Sequence, residues 1–338
     1  MASDRQCGEG ALRLRLMKYL LAGGAGFIGN HLARHILKSS QSAQVTIYDN
    51  LCSGRSWHFE DLEQRYPKRF RFVKADIKDI EALAEAMRGA RIVYHLAANA
   101  DIAKAAQFPG VDFWDGTFLT HNILECVRSL KPDFFLYASG SGIYGDFHKK
   151  LLSEDHGPCL PISTYGASKL GCEAAISAYC HLFGLRAAAF RFANVIGPSQ
   201  THGVIYDFVR SLQKDGGVLK IQGDGKQDKS YLHVEDAIAA MRLLERKKPV
   251  GFSYFNVATR DSISVRQIAD TVVRVMGLKN VAYQFTGGRG GWKGDVPVVR
   301  LDSKKIRSHG WSHRFSSVEA VERAAREILA QASQGRFV

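Results

Sequence analysis

The chain has 338 residues, 46% of them hydrophobic and 23% charged, enough to build a large packed core. No apolar run reaches the roughly eighteen residues of a membrane span, the basic N-terminus lacks the apolar core of a secretory signal, and six cysteines without a C-x-x-C pair read as reduced thiols of a cytoplasmic protein rather than staples or metal ligands. The formal net charge of +13 asks for an anionic partner, yet acids are interleaved among Lys and Arg throughout, which argues against nucleic acid and membrane surfaces and leaves an anionic small molecule.

In chain order, residues 1–16 read as an unstructured extension. The apolar run 18–22 then meets Gly23, Gly26 and Gly29, and an amphipathic helix pattern follows over 30–37. Strand, glycine turn and helix in that order suit a dinucleotide, because the glycines close the turn, let backbone approach a pyrophosphate and let helix pack on strand. Phe27 and Ile28 lie at the helix N-terminus, whose dipole favours phosphate. The second run, 44–48, ends at Asp49 and Asn50; a carboxylate there matches the ribose hydroxyls of NAD and repels the 2′-phosphate of NADP, although Arg55 nearby keeps NADP open. A third run, 71–74, leads to Asp76 and Ile77, with Asp76 set to accept from an adenine amino group. The fourth, 91–96, opens through Leu96 into Ala97, Ala98 and Asn99, small residues where a dinucleotide would cross the strand ends.

Helix and strand alternate again over 117–128 and 134–137, and then comes a pair that invites chemistry. Tyr165 and Lys169 stand four residues apart in a helical pattern, so both side chains share one face. An ammonium beside a phenol stabilises the phenolate, which lets the tyrosine exchange a proton with a substrate hydroxyl.

Taken together, the glycine turn, Asp49-Asn50-Leu51, Asp76-Ile77, His95-Leu96-Ala97-Ala98, Ile143-Tyr144-Gly145 and Tyr165-x-x-x-Lys169 resemble the extended short-chain dehydrogenase/reductase family over residues 17–330. The likeness is greatest to its nucleotide-sugar 4-epimerases. It implies an α/β fold, a Rossmann-type doubly wound parallel sheet with a smaller α/β substrate-binding lobe. Residues 17–190 would be mainly the NAD-binding domain and 191–338 mainly the substrate lobe, with strands interleaving between them. It further implies a tightly held NAD, Tyr165 as acid/base, and Lys169 bridging the nicotinamide ribose.

The resemblance has departures. The family's catalytic Ser or Thr stands four residues before the tyrosine of the Ile143-Tyr144-Gly145 triplet, and here that position is Gly140. Ser139 and Ser141 flank it, and either is a candidate for the hydroxyl. Dehydratases of the family carry an Asp-Glu pair after that hydroxyl and decarboxylases a Glu; this chain has Ser141 and Gly142. Without a second acid/base, hydride transfer at one carbon is the simpler chemistry. Gly116 also falls where the family usually has Asn.

In the C-terminal half the resemblance assigns Asn194 and Lys229 to a diphosphate, His202 to sugar or phosphate, and Lys220 and Gln222 to the nucleobase. Near the end, Trp292 replaces the Arg of the family's Arg-x-Gly-Asp, leaving Arg289 and Lys293 as substitutes beside Asp295 on a glycine-rich, mobile substrate-closing loop. The expected partners are a nucleotide sugar, a UDP-sugar foremost, and a second copy of the chain packed through helices 117–130 and 165–183, where Gly171, Ala174, Ala175 and Ala178 permit close contact. The activity implied is NAD-dependent epimerisation at C4 through a transient 4-keto sugar. A dehydratase or reductase, or an NAD-binding homologue without turnover, are the alternatives.

Overall fold

The apolar runs become neighbouring strands of one parallel sheet in the computed structural model, which describes residues 16–336. The expected extension lies outside the described residues, Leu16 apart. Seven strands run side by side in the order Phe252–Val257, Ala187–Phe192, Phe134–Gly140, Ile92–His95, Met17–Ala22, Ala43–Asp49, Phe70–Lys74. Every pairing is parallel. A parallel sheet needs cover on both faces, and the strands are apolar on both; all six residues of Ala187–Phe192 are buried. One face packs on helices Phe27–Ser39 and Val234–Lys247 through Leu32, Ile36 and Met241, and the other on Ile80–Met87, Phe118–Leu130 and Thr164–Phe183 through Leu83, Ile123 and Ile176. This is the doubly wound α/β fold expected from the sequence.

Strand order reverses between Met17–Ala22 and Ile92–His95, which opens a crevice beyond the carboxyl ends of the strands. The glycine turn after the first strand, the small residues after Ile92–His95, and the end of Phe134–Gly140 all lie at that edge.

Chain segments cross between the halves. Leu151–Leu152 pairs with Val298–Leu301 in a four-stranded sheet completed by Asp228–Lys229 and Ile263–Ser264, while Phe252–Val257 returns to the large sheet. Around these, helices Val204–Lys214, Val265–Val275 and Ser317–Ser333 bury a separate apolar cluster that includes Ile205, Ile268 and Val321.

One local departure from the sequence expectation concerns the helix predicted over 117–128. It runs from Phe118 to Leu130 and is preceded by a five-residue π turn, Phe113–Thr117. A Cβ on Gly116 would stand 2.4 Å from Ser168 Oγ, so the wide turn and the glycine together let this segment close onto the Tyr165 helix. Thr117 Oγ1 and Ser168 Oγ then meet at 2.9 Å. The polar group missing at 116 is thus replaced in space by a pair of hydroxyls.

Candidate active site

The glycine turn is shaped by three different constraints. Gly23 has φ +78° and touches the backbone of Ala97, where a Cβ would lie 2.5 Å from the amide nitrogen; this contact joins the first and fourth strand ends. Gly29 packs on Gly24 so closely that a Cβ would fall 2.5 Å from its Cα. At Gly26 a Cβ would meet only the Gly23 carbonyl, at 3.4 Å, so that side of the turn is open. Gly26 also caps the helix Phe27–Ser39 without a side-chain acceptor, and the first turn carries no acid. First-turn amides without a capping side chain, beside an open glycine, suit an anion such as a pyrophosphate.

Asp49 ends the second strand and is buried, its Oδ2 accepting from the Ala25 amide at 3.0 Å and its Oδ1 from Leu51 at 2.8 Å. Burial raises its carboxyl pKa and the two amides oppose the shift. Asn50 Nδ2 donates to Asp76 Oδ2 at 2.9 Å, fixing two of the expected adenosine contacts to each other. The Arg55 guanidinium donates to the carbonyls of Ser53 and Gly54 and is held by its own turn. Ile77 is buried under this corner, while Phe27, Ile28, Leu96, Ala97 and Ala98 are half-buried along the crevice.

Tyr165 and Lys169 lie in the first two turns of the helix Thr164–Phe183. Ser163 caps it by accepting from the Gly166 amide at 3.1 Å, and Gly184, with φ +68°, ends it in the left-handed conformation that glycine adopts freely. Lys169 Nζ donates to the Ala138 carbonyl at 2.6 Å and lies 4.8 Å from the Tyr137 ring centre and 5.6 Å from that of Tyr165. Burial lowers the lysine to about 8 and pushes the Tyr165 phenol up to about 12, helped by the nearby Asp112 carboxylate. The sequence suggested a lysine that lowers the tyrosine pKa. In the protein alone burial, aided by Asp112, raises the phenol instead, while the ammonium donates to the Ala138 carbonyl.

The opposite wall is the end of Phe134–Gly140. A Cβ on Gly140 would stand 4.0 Å from Tyr165 Oη, so this glycine is the residue that faces the phenol. Ser139, one step earlier on the strand, is buried and donates to Glu173 Oε1 at 2.5 Å. Its hydroxyl is committed to Glu173, two turns beyond Tyr165 on the same helix. Ser141 is half-buried, and a Cβ on Gly142 would contact the Tyr165 ring at 3.9 Å.

On the substrate side, Lys229 Nζ donates to Asp295 Oδ1 at 2.6 Å, and Asp295 Oδ2 accepts from the Gly291 amide at 2.9 Å. The Trp292 ring lies 5.7 Å from the same ammonium. Gly294, with φ +93°, packs on Ile162 and Ser163, so this loop leans on the cap of the Tyr165 helix. Asn194 is exposed beside Ser230, whose carbonyl it approaches at 3.4 Å. Gln222 is exposed and accepts from Thr286 at 3.5 Å, and Lys220 is exposed on Val218–Ile221. His202 is exposed beside Thr201. Arg289 turns to His148 Nδ1 at 3.2 Å, bridging the glycine-rich loop to the segment after Tyr144.

Sequence reasoning missed Asp112, which is buried and accepts from Asn99 at 2.9 Å and Thr164 at 2.7 Å. It also missed the buried pair of Glu173 and Arg191. Glu173 had a usable signal, since it sits one helical turn after Lys169; Asp112 had none, because its partners come from separate segments.

The pattern of the NAD dependent epimerase/dehydratase family matches residues 19–258. The chain belongs to that family. It is 31% identical over 312 residues to the putative UDP-glucose 4-epimerase of Methanocaldococcus jannaschii, covering 90% of this chain and 96% of the relative. The crystal structure of a UDP-galactose 4-epimerase superposes with a TM-score of 0.82 at 33% identity, covering 93% of this chain and 99% of that one. DesIV, the dTDP-glucose 4,6-dehydratase of Streptomyces venezuelae solved with NAD and TYD bound, gives 0.86 at 26% identity, covering 95% and 99%. NAD is the cofactor of this family member, and the open face at Gly26, Asp49 and the Ala97–Ala98 edge fit it. The reaction class follows as far as an NAD-dependent nucleotide-sugar epimerase or dehydratase. No helix among the described residues is long and apolar enough to cross a membrane.

Proposed function

We propose that the chain epimerises a nucleotide sugar, a UDP-hexose, at C4. The observation that carries this is the composition of the wall facing Tyr165, with Gly140 opposite the phenol and Ser141 and Gly142 after it. A 4,6-dehydration must move a proton on carbon, and no carboxylate stands at these strand-end positions to do so. Epimerisation needs only one acid/base. NAD, when bound, would supply the acceptor and donor of a hydride at C4. Tyr165, as the phenolate, takes the proton of the 4-hydroxyl, and as the phenol it returns that proton to the oxygen of the 4-keto sugar after the sugar has presented its other face. Lys169, pinned by the Ala138 carbonyl, keeps positive charge beside the phenol as it ionises. Ser141 is the remaining candidate for a hydroxyl at the sugar. Asn194, Lys229 and Arg289 hold the diphosphate with the Asp295 loop, His202 touches sugar or phosphate, and Lys220 and Gln222 flank the base.

We assign residues 17–190 mainly to the cofactor half and 191–338 mainly to the substrate lobe. The proposed working form is a cytoplasmic homodimer packed through helices Phe118–Leu130 and Thr164–Phe183; the exposed Gly171, Ala174 and Ala178 support it. Incubation with UDP-glucose, UDP-galactose and their N-acetyl and uronic counterparts, followed by NMR, is expected to show interconversion of one pair at constant mass. Failure with all of them overturns the epimerase. A second reading, an NAD-binding protein without turnover, is favoured by the bare Gly140 and predicts bound NAD with no product from any sugar nucleotide.

A further inference from the structure

Behind the strand end lies a buried polar network that no step of the chemistry uses. Glu173 is 3% and Arg191 6% exposed. Arg191 Nε lies 3.1 Å from both Glu173 oxygens and Nη2 2.7 Å from Oε2, a bidentate pair. Arg191 Nη1 donates to Tyr144 Oη at 2.9 Å and to the Glu154 carbonyl at 3.1 Å. The same carboxylate takes the Ser139 hydroxyl at 2.5 Å. A buried ion pair is weak support for stability, because desolvation offsets the attraction. Its placement is more informative.

Ser139 sits between the strand residue that bonds Lys169 and the one that faces Tyr165. The Ala138 carbonyl holds Lys169 Nζ, and Gly140 faces Tyr165 Oη. Glu173 is one turn beyond Lys169 on the same helix. The bond from Ser139 to Glu173 therefore ties strand to helix at the level of the lysine, and Arg191 extends that tie to Tyr144, four residues past Gly140.

We propose that Ser139 is a positioning residue, which clamps the end of Phe134–Gly140 through Glu173 and Arg191 so that the Ala138 carbonyl and Gly140 keep their places against Lys169 and Tyr165. This rests on Tyr165 and Lys169 being the acid/base pair. The groups around the lysine are Tyr137, Tyr165, Cys172, Glu173, Asp112 and His95.

The test compares Ser139→Ala and Ser139→Thr with wild type as NAD-loaded proteins. Ser139→Ala is expected to lower kcat roughly tenfold to hundredfold with KM nearly unchanged, the size expected of a small displacement of reacting groups. Ser139→Thr, which keeps the hydroxyl, restores most of it. A second readout needs no turnover: in NMR titration of isotopically labelled lysine, Lys169 of Ser139→Ala titrates at lower pH than in wild type, because the charged amine has lost its fixed acceptor. A Ser139→Ala protein with wild-type kcat and wild-type lysine titration, or a loss that threonine does not rescue, overturns the proposal. If wild type itself turns over no nucleotide sugar, the functional reading fails and the lysine titration alone decides the clamp.

Discussion

On one wall of the cleft, Tyr165 and Lys169 ride on a 20-residue helix with a serine cap at one end and a glycine at the other, and the lysine is bonded to a strand carbonyl. The facing wall ends in Gly140-Ser141-Gly142, and Gly140, whose Cβ would stand 4.0 Å from the phenol oxygen, carries no side chain. The lysine is held by backbone, so loss of a side chain at 140 does not release it. The two polar groups missing relative to the family also differ in kind. The space at Gly116 is filled by Ser168 and Thr117, whereas the space at Gly140 faces the phenol.

Tyr165→Phe removes the proposed proton carrier and is expected to cost about 10²- to 10⁴-fold in kcat while NAD remains bound; steady-state rates with a matched cofactor titration check this. Lys169→Met tests the burial of the ammonium. The wild-type lysine has a folded pKa of about 8 against an ordinary 10.5, so between those values the unfolded chain holds more protons and stability rises with pH. Denaturation series should show a gain on the order of 3 kcal/mol across that window in wild type, absent in Lys169→Met.

Smaller effects sharpen the contrast between the two glycines. Gly116→Ala pushes a methyl against Ser168 Oγ and is expected to cost about 1–2 kcal/mol of stability, most of it recovered in a Ser168→Ala background, since the next nearest atom is Ser168 Cβ at 3.5 Å. Gly140→Ser is expected to fold normally, because φ is −160° and the new Cβ meets only the phenol oxygen at 4.0 Å. One added hydrogen bond at the reacting oxygen would raise kcat by up to about tenfold. A fall in kcat with unchanged stability would mean that Gly140 makes room for something the reaction needs.

The cofactor side was legible in the sequence because its signals are local. Glycine spacing, a carboxylate at a strand end and Tyr165 to Lys169 are each written within a few residues. The π turn was not legible, since Phe113–Thr117 takes that form against Ser168, which arrives from another helix. Ser139 and Ser141 could not be separated from sequence either. What separates them is Glu173 and Arg191, brought together from a helix and a strand. The same holds for Arg289 and His148, and for Asp112, whose partners lie on different segments.

The proposed reaction moves a hydride off C4 of a nucleotide sugar and back again. It is tested most directly by giving the NAD-loaded protein UDP-glucose carrying deuterium at C4 and following product by mass and NMR. The expected product is UDP-galactose of unchanged mass with the deuterium still at C4. A product lighter by one water, a reduced sugar, or bound NAD with no product from this or any of the other UDP-sugars would contradict it.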